Sequence, residues 1–260
     1  MADDPRAELA SLAACLRAYL EWQGETGATG VPRRTTSVSN PVSSPAAFSP
    51  PTPTSPAASA PVADRTVRLP HLAGEVAGCR KCDLAATRTQ TVFARGNPGA
   101  QLCFVGEAPG ADEDAQGLPF VGRAGQLLDR MIAAMGLSPD KDTYVCNIIK
   151  CRPPDNRRPL PDEISTCIPY LHEQLALVHP RVIVALGNTA ALALLETKLG
   201  ITKVRGQWKL YRGRTLVMPT YHPSYLLRPG PQQTEAKRQV WEDLQLVMKE
   251  LGLALPSKGS

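Results

Sequence analysis

The sequence predicts an α/β fold with a mostly parallel, four-stranded central sheet flanked by helices. Four short apolar runs, at 101–106, 143–149, 181–186 and 215–218, are continuous rather than alternating, as strands buried on both faces are. Segments of helical periodicity separate them, and strands that alternate with helices pair in parallel through crossover helices. The chain has 260 residues, 43% of them apolar, which is enough for one core of ordinary domain size but not for two large ones.

Each element follows from its residues. Leu9, Leu12, Leu16 and Leu20 recur at spacings of three and four, which predicts an N-terminal amphipathic helix within 1–23. Residues 24–65 are rich in Pro, Ser, Thr and Ala, with Phe48 almost the only large apolar side chain. Such a segment buries too little surface to offset its ordering entropy, so it reads as a disordered linker. The folded domain is expected over 66–253, with a short disordered tail at 254–260. Within it, the first strand (101–106) leads to a helix over 125–135 that carries Leu127, Leu128, Met131, Ile132 and Met135 on one face. The second strand (143–149) leads to a helix over 161–178 that opens with Pro161, a residue favoured at a first helical position. The third (181–186) leads to a helix over 188–195 with Asn188 as its cap, and the fourth (215–218) to a final helix over 233–251.

Composition narrows the function classes. No run of eighteen apolar residues exists, and the chain opens with Asp3 and Asp4 where a secretory signal would be basic and then apolar, so a cytoplasmic protein is expected. A formal net charge of +5 favours a polyanionic partner. Seven cysteines make a poor disulfide framework in a reducing compartment, and a metal or cluster is the first alternative.

Parallel sheets bind ligands beyond the carboxyl ends of their strands, so the segments after the four runs should carry the chemistry. The first is followed by Gly106-Glu107-Ala108-Pro109-Gly110 and then by Pro119-Phe120-Val121-Gly122-Arg123-Ala124-Gly125. The second ends at Asn147, four residues before Cys151, and the fourth runs into His222-Pro223-Ser224-Tyr225-Leu226-Leu227-Arg228. A carboxylate, an aromatic ring, an amide and an imidazole are thus expected on one rim.

With these motifs, in this order and with its four-cysteine pattern, the sequence resembles the family 4, iron-sulfur, uracil-DNA glycosylases over roughly residues 67–250. The resemblance implies a monofunctional hydrolase that turns uracil out of DNA and leaves an abasic site for base excision repair. It implies that Gly106, Glu107, Ala108, Phe120, Asn147 and His222 bind uracil and that Glu107 and His222 are catalytic. The chemistry asks for such groups independently: a flipped base needs an aromatic face and hydrogen bonds to its edge. An amide can donate to uracil O4 and accept from N3–H, a pattern that cytosine reverses. His222 would donate to the departing O2, with backbone amides of 106–110 assisting. Residue Ala108 stands where the better-known family 1 has an aspartate, so the carboxylate work falls to Glu107 or to Asp112, Glu113 or Asp114, with Glu107 favoured.

Cys79 and Cys82 enclose two residues, and Cys151 and Cys167 enclose fifteen. Four thiolates so spaced suit tetrahedral zinc or a 4Fe-4S cluster, and spacing does not choose. The resemblance implies a 4Fe-4S cluster of structural role on these four. Cys103 and Cys146, inside strands, read as buried thiols. Basic residues at 80–81, 150–158 and 203–214 suggest a phosphate-tracking rim, with Arg123, Ser224, Tyr225, Leu226 and Arg228 as DNA contacts and Tyr225, Leu226 or Leu227 as a wedge into the vacated stack. Uracil-containing DNA is the expected partner of a nucleoid-associated monomer, with a protein partner for the N-terminal helix. A covalent uracil-trapping relative and a non-catalytic DNA-binding module are the alternatives.

Overall fold

The computed structural model describes residues 62–255. The helix expected within 1–23 lies outside the described residues, as do most of the linker and most of the tail. The first described helix, α1 (Val62–Ala77), begins inside the stretch 24–65 read as linker. It is followed by α2 (Leu84–Thr87), β1 (Arg95–Gly96), β2 (Leu102–Gly106), α3 (Ala111–Gln116), α4 (Arg123–Ala134) and β3 (Thr143–Asn147). A 3-10 turn (Pro154–Asn156) precedes α5 (Pro161–Val178), β4 (Val182–Leu186), α6 (Gly187–Leu195), α7 (Ile201–Val204) and β5 (Lys209–Tyr211). Then come β6 (Thr215–Thr220), α8 (Pro223–Leu226) and α9 (Gln233–Glu250).

The sheet has six strands in the order β1-β3-β2-β4-β6-β5. The four expected strands form its parallel centre, and β1 and β5 add antiparallel edges, on β3 and β6 respectively. Every residue of β2, β3 and β4 is buried, as continuous apolar runs require. The period of two still sorts their side chains. Cys103 and Val105 of β2 face a core shared with α1, α5 and α6, where Leu72, Leu171 and Ala191 pack. Leu102 and Phe104 face the opposite core, built with Leu128 and Ile132 of α4 and Val240 and Leu244 of α9. On the first side Arg65 Nε donates to Leu177 O (2.9 Å) and Arg68 pairs with Glu173 (2.5 Å), holding α1 on α5.

Two features of this topology place the site. From β2 the chain adds β3 on one side and then crosses to place β4 on the other, so the strand order switches direction between β2 and β4. The register also aligns the carboxyl ends: Gly106 lies opposite Asn147, and Leu186 opposite Thr220. Past Asn147 the ladder persists irregularly, with Ile148 N–H donating to Gly106 O (2.9 Å) and Ile149 N–H to Glu107 O (3.2 Å). The end of β3 is thereby held against the loop that carries Glu107.

Three readings of single residues change. Asn188 does not cap its own helix: α6 starts one residue earlier, and Asn188 Oδ1 accepts from Ile201 N–H (2.9 Å), capping α7. Lys150, read as a rim cation, is buried, with Nζ donating to Asn147 O (2.8 Å) and Gln174 Oε1 (2.7 Å). Arg205, read likewise, pairs with buried Asp243 (2.5 Å), which also accepts from Thr220 Oγ1 (2.6 Å). Among the described residues, no helix is long and apolar enough to cross a membrane.

Candidate active site

At the switch point the expected residues converge. A cavity of about 250 Å³ is lined by Glu107, Ala108, Phe120, Asn147, His222 and Ser224, drawn from the loops after β2, β3 and β6. Gly106 does not line it but backs it. A Cβ on Gly106 would stand 2.5 Å from Asn147 Oδ1 and 2.5 Å from Phe120 Cζ, so both walls close on that glycine. Phe120 holds a left-handed backbone (φ 56°), uncommon for a bulky residue, and a Cβ on Gly125 would meet its carbonyl oxygen at 1.8 Å. The Phe-Val-Gly-Arg-Ala-Gly run is therefore a tight turn whose geometry aims the ring. That ring stacks near His222, with centroids 5.6 Å apart and planes at 30°. A larger groove of about 560 Å³ lies between α1 and β1, but its walls are mainly apolar and include no carboxylate or imidazole.

Asn147 is 2% exposed, and its Oδ1 has no hydrogen-bond partner. A buried acceptor without a donor costs on the order of 1–3 kcal/mol, and native proteins rarely leave one unpaired without a use for it.

His222 caps α8. Its Nδ1 accepts from Ser224 N–H (3.1 Å), and Ser224 Oγ lies 2.8 Å away. An amide can only donate, so Nδ1 is the unprotonated nitrogen and the imidazole proton sits on Nε2. Burial pushes the imidazole down to about 4, and Arg228 adds to the effect, which keeps the ring neutral at physiological pH.

The acids separate by what already occupies them. Glu113 lines the cavity, yet both its oxygens are spent: Oε2 accepts from Gly110 N–H (3.0 Å), Oε1 from Val121 N–H (3.0 Å) and Gly122 N–H (2.9 Å). It staples the Glu-Ala-Pro loop to the Phe120 turn. It also occupies the Gly110 amide, which is therefore not free to assist a leaving base, as the sequence suggested. Asp114 is buried and accepts from Thr89 N–H with both oxygens (3.0 Å each), and Asp112 is exposed outside the cavity. Glu107 remains, half-buried, with Thr189 Oγ1 donating to its Oε2. Thr189 escaped the sequence reading, and so did the stapling role of Glu113.

A second cavity, about 410 Å³, shares Glu107, His222 and Ser224 with the first and adds Asn188, Arg158 and Arg228. Ser224, Tyr225 and Arg228 line this cavity and are exposed, whereas Arg123 is exposed but lines neither cavity. Leu226 is not: at 2% exposure it packs into the core beside α4 and α9, so it cannot serve as a DNA contact or wedge. Its neighbours Tyr225 and Leu227 are each 39% exposed.

The cysteines fall into two groups by environment. Cys103 and Cys146 are buried in β2 and β3. Cys151 is buried, and Cys79, Cys82 and Cys167 are partly exposed. Among the described residues no three His, Cys, Asp or Glu side chains are close enough to hold one metal ion. Donors nonetheless point at the sulfurs: Arg88 Nη1 lies 3.0 Å from Cys151 Sγ, and Lys150 N–H 3.3 Å from Cys167 Sγ. The Lys150 ammonium, 1% exposed, meets only two carbonyl oxygens and the Phe93 ring, with no carboxylate partner among the described residues. A buried cation is stable only beside compensating negative charge, and sulfur donors with N–H groups aimed at them fit an anionic thiolate-ligated group.

The family profile described as the uracil DNA glycosylase superfamily matches residues 93–245. A type-4 uracil-DNA glycosylase of Thermotoga maritima is 45% identical over 168 residues, covering 64% of this chain and 86% of that protein. One of Saccharolobus solfataricus is 44% identical over 171 residues, 63% of this chain and 79% of that protein. A type-5 enzyme of Pyrobaculum aerophilum is more distant, at 32% over 146 residues, 50% of this chain and 64% of that protein. At that level of identity across the domain that carries the pocket, the chain belongs to the uracil DNA glycosylase superfamily and, within it, to the type-4 uracil-DNA glycosylases.

Proposed function

We propose that the cavity at the switch point receives a uracil turned out of DNA, and that the protein hydrolyses its N-glycosidic bond to leave an abasic site for base excision repair. The observation that supports this most directly is the unpartnered Oδ1 of buried Asn147. It needs a donor, and uracil N3–H supplies one, while the amide NH₂ can donate to O4. Cytosine presents an acceptor at N3 and a donor at its exocyclic amine, so it leaves both amide groups of Asn147 opposed. Phe120 supplies the stacking face. The C1′–N1 bond breaks with positive character on the sugar and negative charge on the base. His222, neutral with its proton on Nε2, donates a hydrogen bond to O2 of the departing anion without needing to be charged first. Glu107 carries the carboxylate's work, orienting the attacking water or stabilising the sugar cation. Arg123, Ser224, Tyr225 and Arg228 would track the DNA strand around the pocket.

Cys79, Cys82, Cys151 and Cys167 would hold a 4Fe-4S cluster, whose contribution is to pin the segment after β3 and the loop after α1 rather than to move electrons. Burial raises the Cys151 thiol and pushes Cys167 up to about 11, so both keep their protons at neutral pH unless iron displaces them. Replacing Cys82 by serine is expected to lose the brown colour and most of the bound iron and to lower the melting temperature. Full iron retention would remove Cys82 from the ligand set.

The function is tested by excision from a labelled oligonucleotide with a single uracil, scored by alkaline cleavage and by a denaturing gel. Cleavage without a protein–DNA adduct is expected, with Glu107→Gln slower by roughly two orders of magnitude or more. An adduct would favour covalent trapping. No cleavage by folded, iron-loaded protein would favour a binding module.

A further inference from the structure

The segment after β4 was not among the motifs read from the sequence, yet it touches both proposed catalytic residues. Its first residue, Gly187, has φ +87°, and a Cβ there would stand 2.9 Å from His222 Cβ, so the turn is packed directly against the imidazole. Two residues on, Thr189 Oγ1 donates to Glu107 Oε2 at 2.5 Å, across 82 positions of sequence. A threonine in the first turn of a helix commonly bonds back to its own backbone. Here the hydroxyl reaches across the switch point to the loop after the neighbouring strand.

We propose that Thr189 is a positioning residue for the reaction: it fixes the rotamer of Glu107, leaving the other carboxylate oxygen to face the water or the sugar. The inference rests on the reading of Glu107 as the reacting carboxylate. Two arguments support it. Glu113 is anchored by three backbone amides, whereas the Thr189 hydroxyl is the single protein donor to the Glu107 carboxylate among the described residues. A β-branched side chain on a helix has few χ1 choices, so its hydroxyl is a stiff anchor rather than a passing contact.

The test compares Thr189→Val, which keeps the shape and deletes the donor, with Thr189→Ser, which keeps the donor, and with Glu107→Gln. Single-turnover excision is followed alongside KM and inhibition by free uracil. Thr189→Val is expected to slow the chemical step by roughly ten- to a hundredfold, with KM and uracil inhibition unchanged. Thr189→Ser should restore the rate. Thr189 is only half-buried, so the folded state of each variant can be verified by circular dichroism before the kinetics. A Thr189→Val enzyme with the wild-type rate, beside a Glu107→Gln enzyme that has lost activity, would overturn the proposal alone. A Thr189→Ser enzyme no better than Thr189→Val would overturn it too. A Glu107→Gln enzyme at the wild-type rate would instead remove the reading of Glu107, and this inference with it.

Discussion

Asn147→Ala is expected to lower kcat/KM for uracil excision by roughly 10²- to 10³-fold while the fold and the iron content stay as they are. The magnitude comes from the uracil edge rather than from the protein. Asn147 is 2% exposed and its Oδ1 is already unpartnered, so truncation strands no protein group. It strands the base instead: O4 and N3–H would enter a pocket with nothing to pair them, and each unpaired buried group costs about 1–3 kcal/mol. The loss should appear in KM and in inhibition by free uracil as much as in the chemical step, because base recognition precedes bond cleavage. The main chain here is held independently of the side chain, by Lys150 Nζ on Asn147 O (2.8 Å) and by pairing opposite Gly106. Comparable excision by Asn147→Ala and wild type, from equal amounts of folded protein, would remove the amide from the recognition edge.

Why so much of this site was legible in advance, and some of it not, has a physical answer. Strands buried on both faces need long apolar runs, so β2, β3, β4 and β6 announce themselves, and a parallel sheet then sends the residues after them to one rim. Glu107, Phe120, Asn147 and His222 needed nothing more to be placed together. The edge strands have no such signature. β1 is two residues long and β5 three, and both are strands only because β3 and β6 offer them an edge. Charge is visible in a sequence but direction is not: Lys150 and Arg205 read as rim cations and turn inward, the one between two carbonyl oxygens, the other onto Asp243. Leu226 fails as a wedge for the same reason, since α8 is a single turn and one side of it must face the core. Thr189 was hidden because a threonine early in a helix has ordinary local explanations, and only the crossing of β4 beside β2 reveals its partner. Among the acids the sequence reading favoured Glu107; what it did not show is that three backbone amides occupy Glu113.

His222→Ala is expected to slow excision by about 10²- to 10³-fold, the usual effect of removing one donor from developing negative charge. The wild-type profile should also lack the inflection near pH 6.5 that an ordinary histidine would impose. The sign follows from the contacts. Protonating Nδ1 would set an N–H against the Ser224 amide that now donates to it, in a half-buried position beside the positive Arg228. All three effects disfavour the cation, and the imidazole is pushed down to about 4. The neutral donor at Nε2 is therefore present across pH 5.5–8, and the histidine limits the rate only as pH approaches about 4. The same depression makes a folding prediction. The unfolded chain takes up this proton near pH 6.5 and the folded one only near 4, so the stability contribution is full above about 6.5 and is lost as pH falls through that window. Melting temperatures measured from pH 7.5 to 4.5 should fall less steeply in His222→Ala than in the wild type. An imidazole that titrates near 6.5 in the folded protein, followed by NMR, would show that Nδ1 is free to take a proton, and the assignment of the leaving-group donor to a neutral Nε2–H would then be wrong.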